Sequence, residues 1–263
     1  MRGMALRAGG WLRDVRPRVR ARAQPATEVC RAADSGRNAK GIGCRLAPDE
    51  RHVEREQVRH ALEARAQPVI GADAAGVVAY FAALSAAVSI PLMVQDHPLS
   101  GVPLPAALLA RLANEVEHVR YFKIEVPRAP GKFADVLALA GERVLGIFGG
   151  MNGLLFVEEL LRGGCGTMPS GATPEVFVAV YEAFLVGDRT WADELFRRYQ
   201  PLIYLENALG GRNFPKEVLH MGGIIRSAHV RAPVPASWDE ATRQRMRDMV
   251  RAYDLLALRY NPT

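Results

Sequence analysis

The stretch Tyr121-Phe122-Lys123-Ile124-Glu125-Val126 decides how this chain is read. It is a short apolar run with a lysine inside it, the pattern of a strand buried on both faces. Lysine is almost never fully buried without a reason. The chain also avoids lysine: of 34 basic residues only Lys40, Lys123, Lys132 and Lys216 are lysines, and the other 30 are arginines. Burial disfavours the ammonium form and so leaves an amine that can act as a nucleophile, a role closed to the permanently protonated arginine. Two readings of Lys123 follow from the local pattern. One is a Schiff-base lysine attacking a 2-oxo acid. The other is a strand-end lysine that extends its ammonium into water.

Working outward from this strand, helix-like and strand-like segments alternate from about residue 76. Val77–Leu84 reads as a helix and Ile90–Gln95 as a strand, with Pro91 near its start where a missing N–H does least harm. Leu104, Leu108, Leu109 and Leu112 recur at helical spacing, as do Phe133, Val136, Leu137 and Ala140. Val144–Phe148 is a strand ending at Gly149-Gly150, Leu154–Leu161 a helix, and Cys165–Met168 a short strand. A helix follows Pro174. Four βα units of this kind imply a parallel sheet with covering helices. Three more helices are expected after it: one from Trp191 to Ile203, one near Pro215, and one from about Asp239 to Leu258.

Residues 1–70 read differently. They hold 15 basic and 8 acidic residues, whereas residues 71–263 hold 19 basic and 20 acidic. The net charge of +6 therefore belongs to the N-terminal quarter. Its arginines are scattered among alanines with no aromatic interleaving beyond Trp11, which speaks against nucleic-acid binding. No clean strand is expected before Val69-Ile70, and a helix is expected from Leu46 to about Arg65. No apolar run reaches the ~18 residues of a membrane span. Cys30, Cys44 and Cys165 lack a C-x-x-C pairing, which fits a reducing cytoplasm. His52, His60, His97, His118, His220 and His229 show no metal spacing.

The run from Ile90 to Ser170 resembles the dihydrodipicolinate synthase/N-acetylneuraminate lyase family of class I aldolases and dehydratases. The matching pieces are Pro91-Leu92-Met93-Val94-Gln95-Asp96-His97-Pro98 for that family's fifth strand and Tyr121–Glu125 for its sixth. Phe148-Gly149-Gly150 matches the seventh, and Gly163-Gly164-Cys165-Gly166-Thr167-Met168-Pro169-Ser170 the eighth. The resemblance covers about residues 76–260. It implies an α/β fold, a (β/α)8 TIM barrel with a C-terminal helical extension. It also implies a covalent imine on Lys123 with no cofactor, and a homo-oligomer if the barrel is complete. Three segments are expected: 1–70, an atypical Arg/Ala-rich segment; 71–188, the C-terminal half of the barrel; and 189–263, the helical extension. The family's glycine-threonine-rich carboxylate loop is not legible, Pro25-Ala26-Thr27-Glu28 being at best a remnant. The N-terminal half of the barrel is therefore expected to be incomplete, and this chain to have little or no dehydratase activity.

Two departures narrow the activity that the resemblance implies. Family aldolases carry a tyrosine at the end of the fifth strand, and this chain has Gln95, an amide that cannot act as a general acid or base. The arginine that dihydrodipicolinate synthases place after that strand is replaced by Leu99-Ser100-Gly101. Lysine biosynthesis is therefore not expected. Within the family these residues look most like the 2-keto-3-deoxy sugar acid dehydratases. The implied reaction dehydrates L-2-keto-3-deoxyarabonate to 2-oxoglutarate semialdehyde. The alternatives are a pyruvate-releasing aldolase and a catalytically silent barrel. The partners are then a small 2-oxo sugar acid or pyruvate, with no nucleic acid, membrane or metal.

The expected catalytic residues are Lys123, Gln95 and Glu125. Side chains alternate along a strand, so Lys123 and Glu125 should share a face. Glu125 is read either as the acid/base or as a partner that positions Lys123. Gly149 and Gly150 open a glycine-rich turn whose N–H groups could hold a carboxylate, or which simply turns the chain. Met168 and Ser170, at the top of the eighth strand, are the remaining substrate-binding candidates.

Overall fold

A computed structural model describes residues 62–65, for backbone alone, together with 73–98, 104–231 and 238–259. The expectations for Pro25–Glu28, for the helix start at Leu46 and for Leu99-Ser100-Gly101 lie outside these residues.

Five strands form one sheet in sequence order, every neighbouring pair parallel. They are β1 (Leu62–Arg65), β2 (Leu92–Asp96), β3 (Val119–Ile124), β4 (Gly146–Gly149) and β5 (Gly166–Thr167). Between them run α1 (Ala74–Ala86), α2 (Ala106–Glu115), α3 (Ala129–Ala140) and α4 (Phe156–Leu160). The alternation read from residue 76 onward is therefore present, one helix per strand. Two of the helix starts have a clear local cause. Asp73 caps α1 by accepting from the N–H of Gly76, and Pro130 lies in the first turn of α3, where its missing N–H is not needed.

β1 corrects the reading of the region before it. The helix expected to reach Arg65 is replaced, over Leu62-Glu63-Ala64-Arg65, by a strand in register with Leu92–Gln95. These four residues alternate apolar and charged with period two, which suits a strand. The helical reading of the preceding residues had masked that alternation.

The core lies between the sheet and its helices. Val77 and Phe81 of α1, Leu109 and Leu112 of α2, and Phe133 and Val136 of α3 pack with Leu92, Val94, Phe122, Ile124 and Ile147 of the strands. β2 is buried along its whole length. This explains why Leu92-Met93-Val94 is an apolar run rather than an alternating one, and it leaves Gln95 and Asp96 as buried polar groups at the strand's end. On the opposite face the register sets two rows across the sheet. Met93, Tyr121 and Gly146 form one row, and Gln95, Lys123 and Phe148 the next. The rings of Tyr121 and Phe148 approach to 6.5 Å between centroids.

These residues, to Met151 together with Leu155–Met168, form one compact unit; Asn152–Leu154 and the chain from Pro169 form a second. The second unit is helical: α5 (Pro174–Leu185), α6 (Arg189–Leu205), α7 (Asn213–Met221), α8 (Glu240–Arg251) and α9 (Leu256–Arg259). Its core includes Phe177, Val180, Leu195, Phe196, Tyr199, Leu202, Phe214 and Val218. The last helix was expected as one element from Asp239 to Leu258 and is two. After α8 the chain turns at Ala252-Tyr253, and the N–H of Leu256 at the start of α9 donates to Glu175 at 2.8 Å. Glu217, buried on α7, is clamped by Arg243 at 2.8 Å and Arg247 at 2.7 Å of α8. Among the described residues no helix is long and apolar enough to cross a membrane.

Candidate active site

Parallel register places Gln95 directly beside Lys123 on neighbouring strands. Glu125 follows β3 by one residue, and its N–H donates to the carbonyl of Asp96 at 2.8 Å, which ties the ends of β2 and β3 together. The three expected catalytic residues converge. Lys123 Nζ lies 3.3 Å from Glu125 Oε2, with the two side chains only 13% and 10% exposed. Gln95 is fully buried and its Nε2 donates to the same oxygen. Glu125 Oε1 accepts from the N–H of Met151 at 3.1 Å.

Glu125 is thus a buried carboxylate with three donors. Burial pushes its carboxyl up, but the hydrogen bonds from Gln95 and Met151, and the nearby Lys123 charge, together outweigh burial and hold it below the usual range. It is ionised at neutral pH and can serve as a base. Gln95 orients Glu125, and its own Oε1 is buried without a hydrogen-bond partner.

The Gly149-Gly150 turn is packed by carboxyl groups. A Cβ on Gly150 would coincide with the side chain of Glu125, and a Cβ on Gly149 with the carboxyl of Glu159. Met151 and Asn152, which follow, both sit in the left-handed region with φ of 50° and 51°. Non-glycine residues held there cost on the order of 1–3 kcal/mol each and cluster at functional sites. Here the conformation aims the Met151 N–H at Glu125. Met168 lies just beyond β5, and its N–H donates to the carbonyl of Gly149 at 3.1 Å. Ser170 belongs to the second unit. There its Oγ accepts from the N–H of Ala172 at 3.3 Å, and its side chain is hydrogen-bonded to Glu206. Burial pushes the Glu206 carboxyl up to about 7.

Three residues near these candidates were not singled out from sequence. Asp96, buried at the end of β2, pairs with Lys132 of α3 at 2.5 Å. Burial raises the Asp96 carboxyl, with Lys132 opposing. This pair ties α3 to the end of β2, next to Gln95. The third is Glu159 on α4. Helical spacing could have found it, because Phe156, Glu159 and Leu160 fall on one buried face while Glu158 is exposed. Among the described residues no group of His, Cys, Asp and Glu is arranged to hold a metal ion.

Replacing Gln95 with leucine tests the orientation of Glu125. The change keeps approximate volume and removes a donor to a buried carboxylate, so a loss of about 1–3 kcal/mol at neutral pH is expected. Because the folded carboxyl lies below its ordinary value, its stabilising effect is full above the unfolded value and is lost as pH falls through the folded one. In the leucine variant the folded value moves up toward the unfolded one, so that acid loss should be smaller and should end at higher pH. Urea denaturation across the acid range measures both effects.

A parallel α/β barrel fold with a strand lysine beside a buried carboxylate defines a class of protein, and the comparisons place the chain within it. It belongs to the dihydrodipicolinate synthase/N-acetylneuraminate lyase family. No protein-family model matches the chain, but individual relatives do. An L-2-keto-3-deoxyarabonate dehydratase from Azospirillum brasilense is 36% identical over 189 residues, covering 71% of this chain and 60% of the relative. A 4-hydroxy-tetrahydrodipicolinate synthase from Corynebacterium aurimucosum is 31% identical over 182 residues, covering 68% and 58%. The chain thus spans less than two thirds of the length of these relatives. A dihydrodipicolinate synthase structure from Rhodopseudomonas palustris matches with a TM-score of 0.62 at 26% identity, covering 68% of this chain and 62% of that one. The synthase from Aquifex aeolicus matches in fold with a TM-score of 0.64 at 19% identity, covering 70% and 62%. Against these TIM barrels, the five parallel strands among the described residues are an incomplete barrel.

Proposed function

We propose that this protein is a Schiff-base-forming lyase that dehydrates a 2-keto-3-deoxy sugar acid, with L-2-keto-3-deoxyarabonate as substrate and 2-oxoglutarate semialdehyde as product. The observation that carries the reading is the contact between Lys123 and Glu125, held by Gln95 from the neighbouring strand. The 36% identity to a protein named for this reaction supports it.

In this reading the Lys123 amine attacks C2 of the substrate, and loss of water gives the imine. The imine acidifies C3. Glu125, ionised and beside Lys123, takes a C3 proton and leaves an enamine. The enamine expels the C4 hydroxyl, which departs as water with the proton returned by Glu125. Tautomerisation moves the new unsaturation toward C5, and hydrolysis of the imine releases the semialdehyde and the free amine. Gln95 positions Glu125 and transfers no proton. The N–H groups of the Gly149-Gly150 turn, with Met168, are the proposed contacts to the rest of the substrate.

Incubating the chain at high concentration with the sugar acid and identifying the products tests this. Formation of 2-oxoglutarate semialdehyde is expected. Release of pyruvate with a two-carbon aldehyde would assign retro-aldol cleavage instead, and unchanged substrate would mark a silent barrel.

A further inference from the structure

Glu159 is the buried ionisable group that the reaction above leaves unused. It is 2% exposed, and its Oε2 has no hydrogen-bond partner. Its carboxyl rests against Gly149, while that of Glu125 rests against Gly150. The two acids therefore flank consecutive residues of one turn at the end of β4, and each fills the space that a side chain at its glycine would need. Their surroundings differ. Glu125 receives donors from Gln95, Met151 and Lys123, whereas Glu159 Oε2 receives none. Other charges on the elements packed against α4 are few. α3 brings Lys132, which is engaged with Asp96, and the exposed Asp135, while β4 and β5 bring none. On α4 itself Glu158 is exposed and paired with Arg162.

We propose that Glu125 and Glu159 act as one unit holding a single proton, kept on Glu159, so that Glu159 is a positioning residue that keeps Glu125 ionised beside Lys123. This rests on the reading of Lys123 and Glu125 as the reacting pair. Burial first, and the charge of Glu125 second, push the Glu159 carboxyl up to about 8. The donors around Glu125 hold its carboxyl low. Two carboxyls driven apart in this way divide into an acid and a base. When Glu159 ionises in the alkaline range the pair loses its one proton, and the repulsion between the two carboxylates is part of what delays that loss.

Carboxyl 13C NMR of the full chain, labelled in its glutamate side chains and titrated from about pH 3 to about pH 10 without substrate, reads this directly. Assignment comes from Glu159→Gln and Glu125→Gln. The expected result is a resonance with a midpoint near 8 that is missing from Glu159→Gln. The Glu125 resonance should show a second inflection at that same pH, also lost in Glu159→Gln. In Glu125→Gln the Glu159 midpoint should move down. A single inflection for Glu125, or a Glu159 midpoint unmoved in Glu125→Gln, overturns the coupling. A side chain that merely fills space would produce neither effect. If Glu159→Gln does not fold, the wild type and Glu125→Gln still decide. No substrate is present, so a failure here counts against the pair alone, whereas a failure of the product assay counts against the reaction.

Discussion

Lys123→Arg is expected to abolish every trace of borohydride-trappable adduct with a 2-oxo acid while leaving the fold in place. The guanidinium keeps the positive charge and can keep the contact with Glu125, whose carboxylate lies 3.3 Å from the present ammonium. It cannot shed a proton to attack a carbonyl. Lys123 is partly exposed at the end of a strand, so the extra length has somewhere to go, and a stability change of no more than about 1–2 kcal/mol is expected. Far-UV circular dichroism and urea denaturation establish the fold, and intact mass after reduction establishes the adduct. An arginine variant that still traps substrate would move the chemistry to another amine.

The second large effect is expected at Gly150. An alanine there places its Cβ on the Glu125 side chain. Glu125 must then move, giving up the Gln95 amide and the Met151 N–H while staying buried. Breaking a buried charge away from its partners costs about 3–5 kcal/mol, enough to unfold a marginal domain. Gly149→Ala meets the Glu159 carboxyl in the same way. Gly131→Ala is the control. It lies in α3 with open space where the Cβ would go, and it should stabilise by about 0.5–1 kcal/mol because alanine favours a helix over glycine. Urea midpoints of the three variants measure the contrast. Equal midpoints for Gly150→Ala and Gly131→Ala would mean that the carboxylates do not occupy the turn.

What could be read from the sequence follows from the range of the forces involved. β3 and the helices between strands were legible because burial writes itself locally, as apolar runs for Tyr121–Ile124 and helical spacing for Leu108, Leu109 and Leu112. The meeting of Lys123 and Glu125 was legible because they lie two residues apart along one extended run, Glu125 just past the end of β3. The donation from Gln95 to Glu125 was not, since it depends on the register between β2 and β3, a property of the sheet rather than of either strand. β1 was missed because four residues carry too short a period to outweigh a helical reading of what precedes them. Glu159 was passed over because an acid in an apolar helix is usually taken to face water. Only the glycine at position 149 leaves room for its carboxyl inside. The resemblance carried what periodicity could not, namely the chemistry expected of a lysine in that strand.

The most direct measurement is the mass of the Lys123 peptide after the wild-type chain is mixed with L-2-keto-3-deoxyarabonate, reduced with borohydride at short times and digested. The expected adduct is on Lys123 and carries the substrate's five-carbon skeleton after loss of the C4 hydroxyl, joined through a reduced C2–N bond. A three-carbon pyruvyl adduct on Lys123 would contradict dehydration, and an unmodified Lys123 peptide would contradict the Schiff-base chemistry altogether.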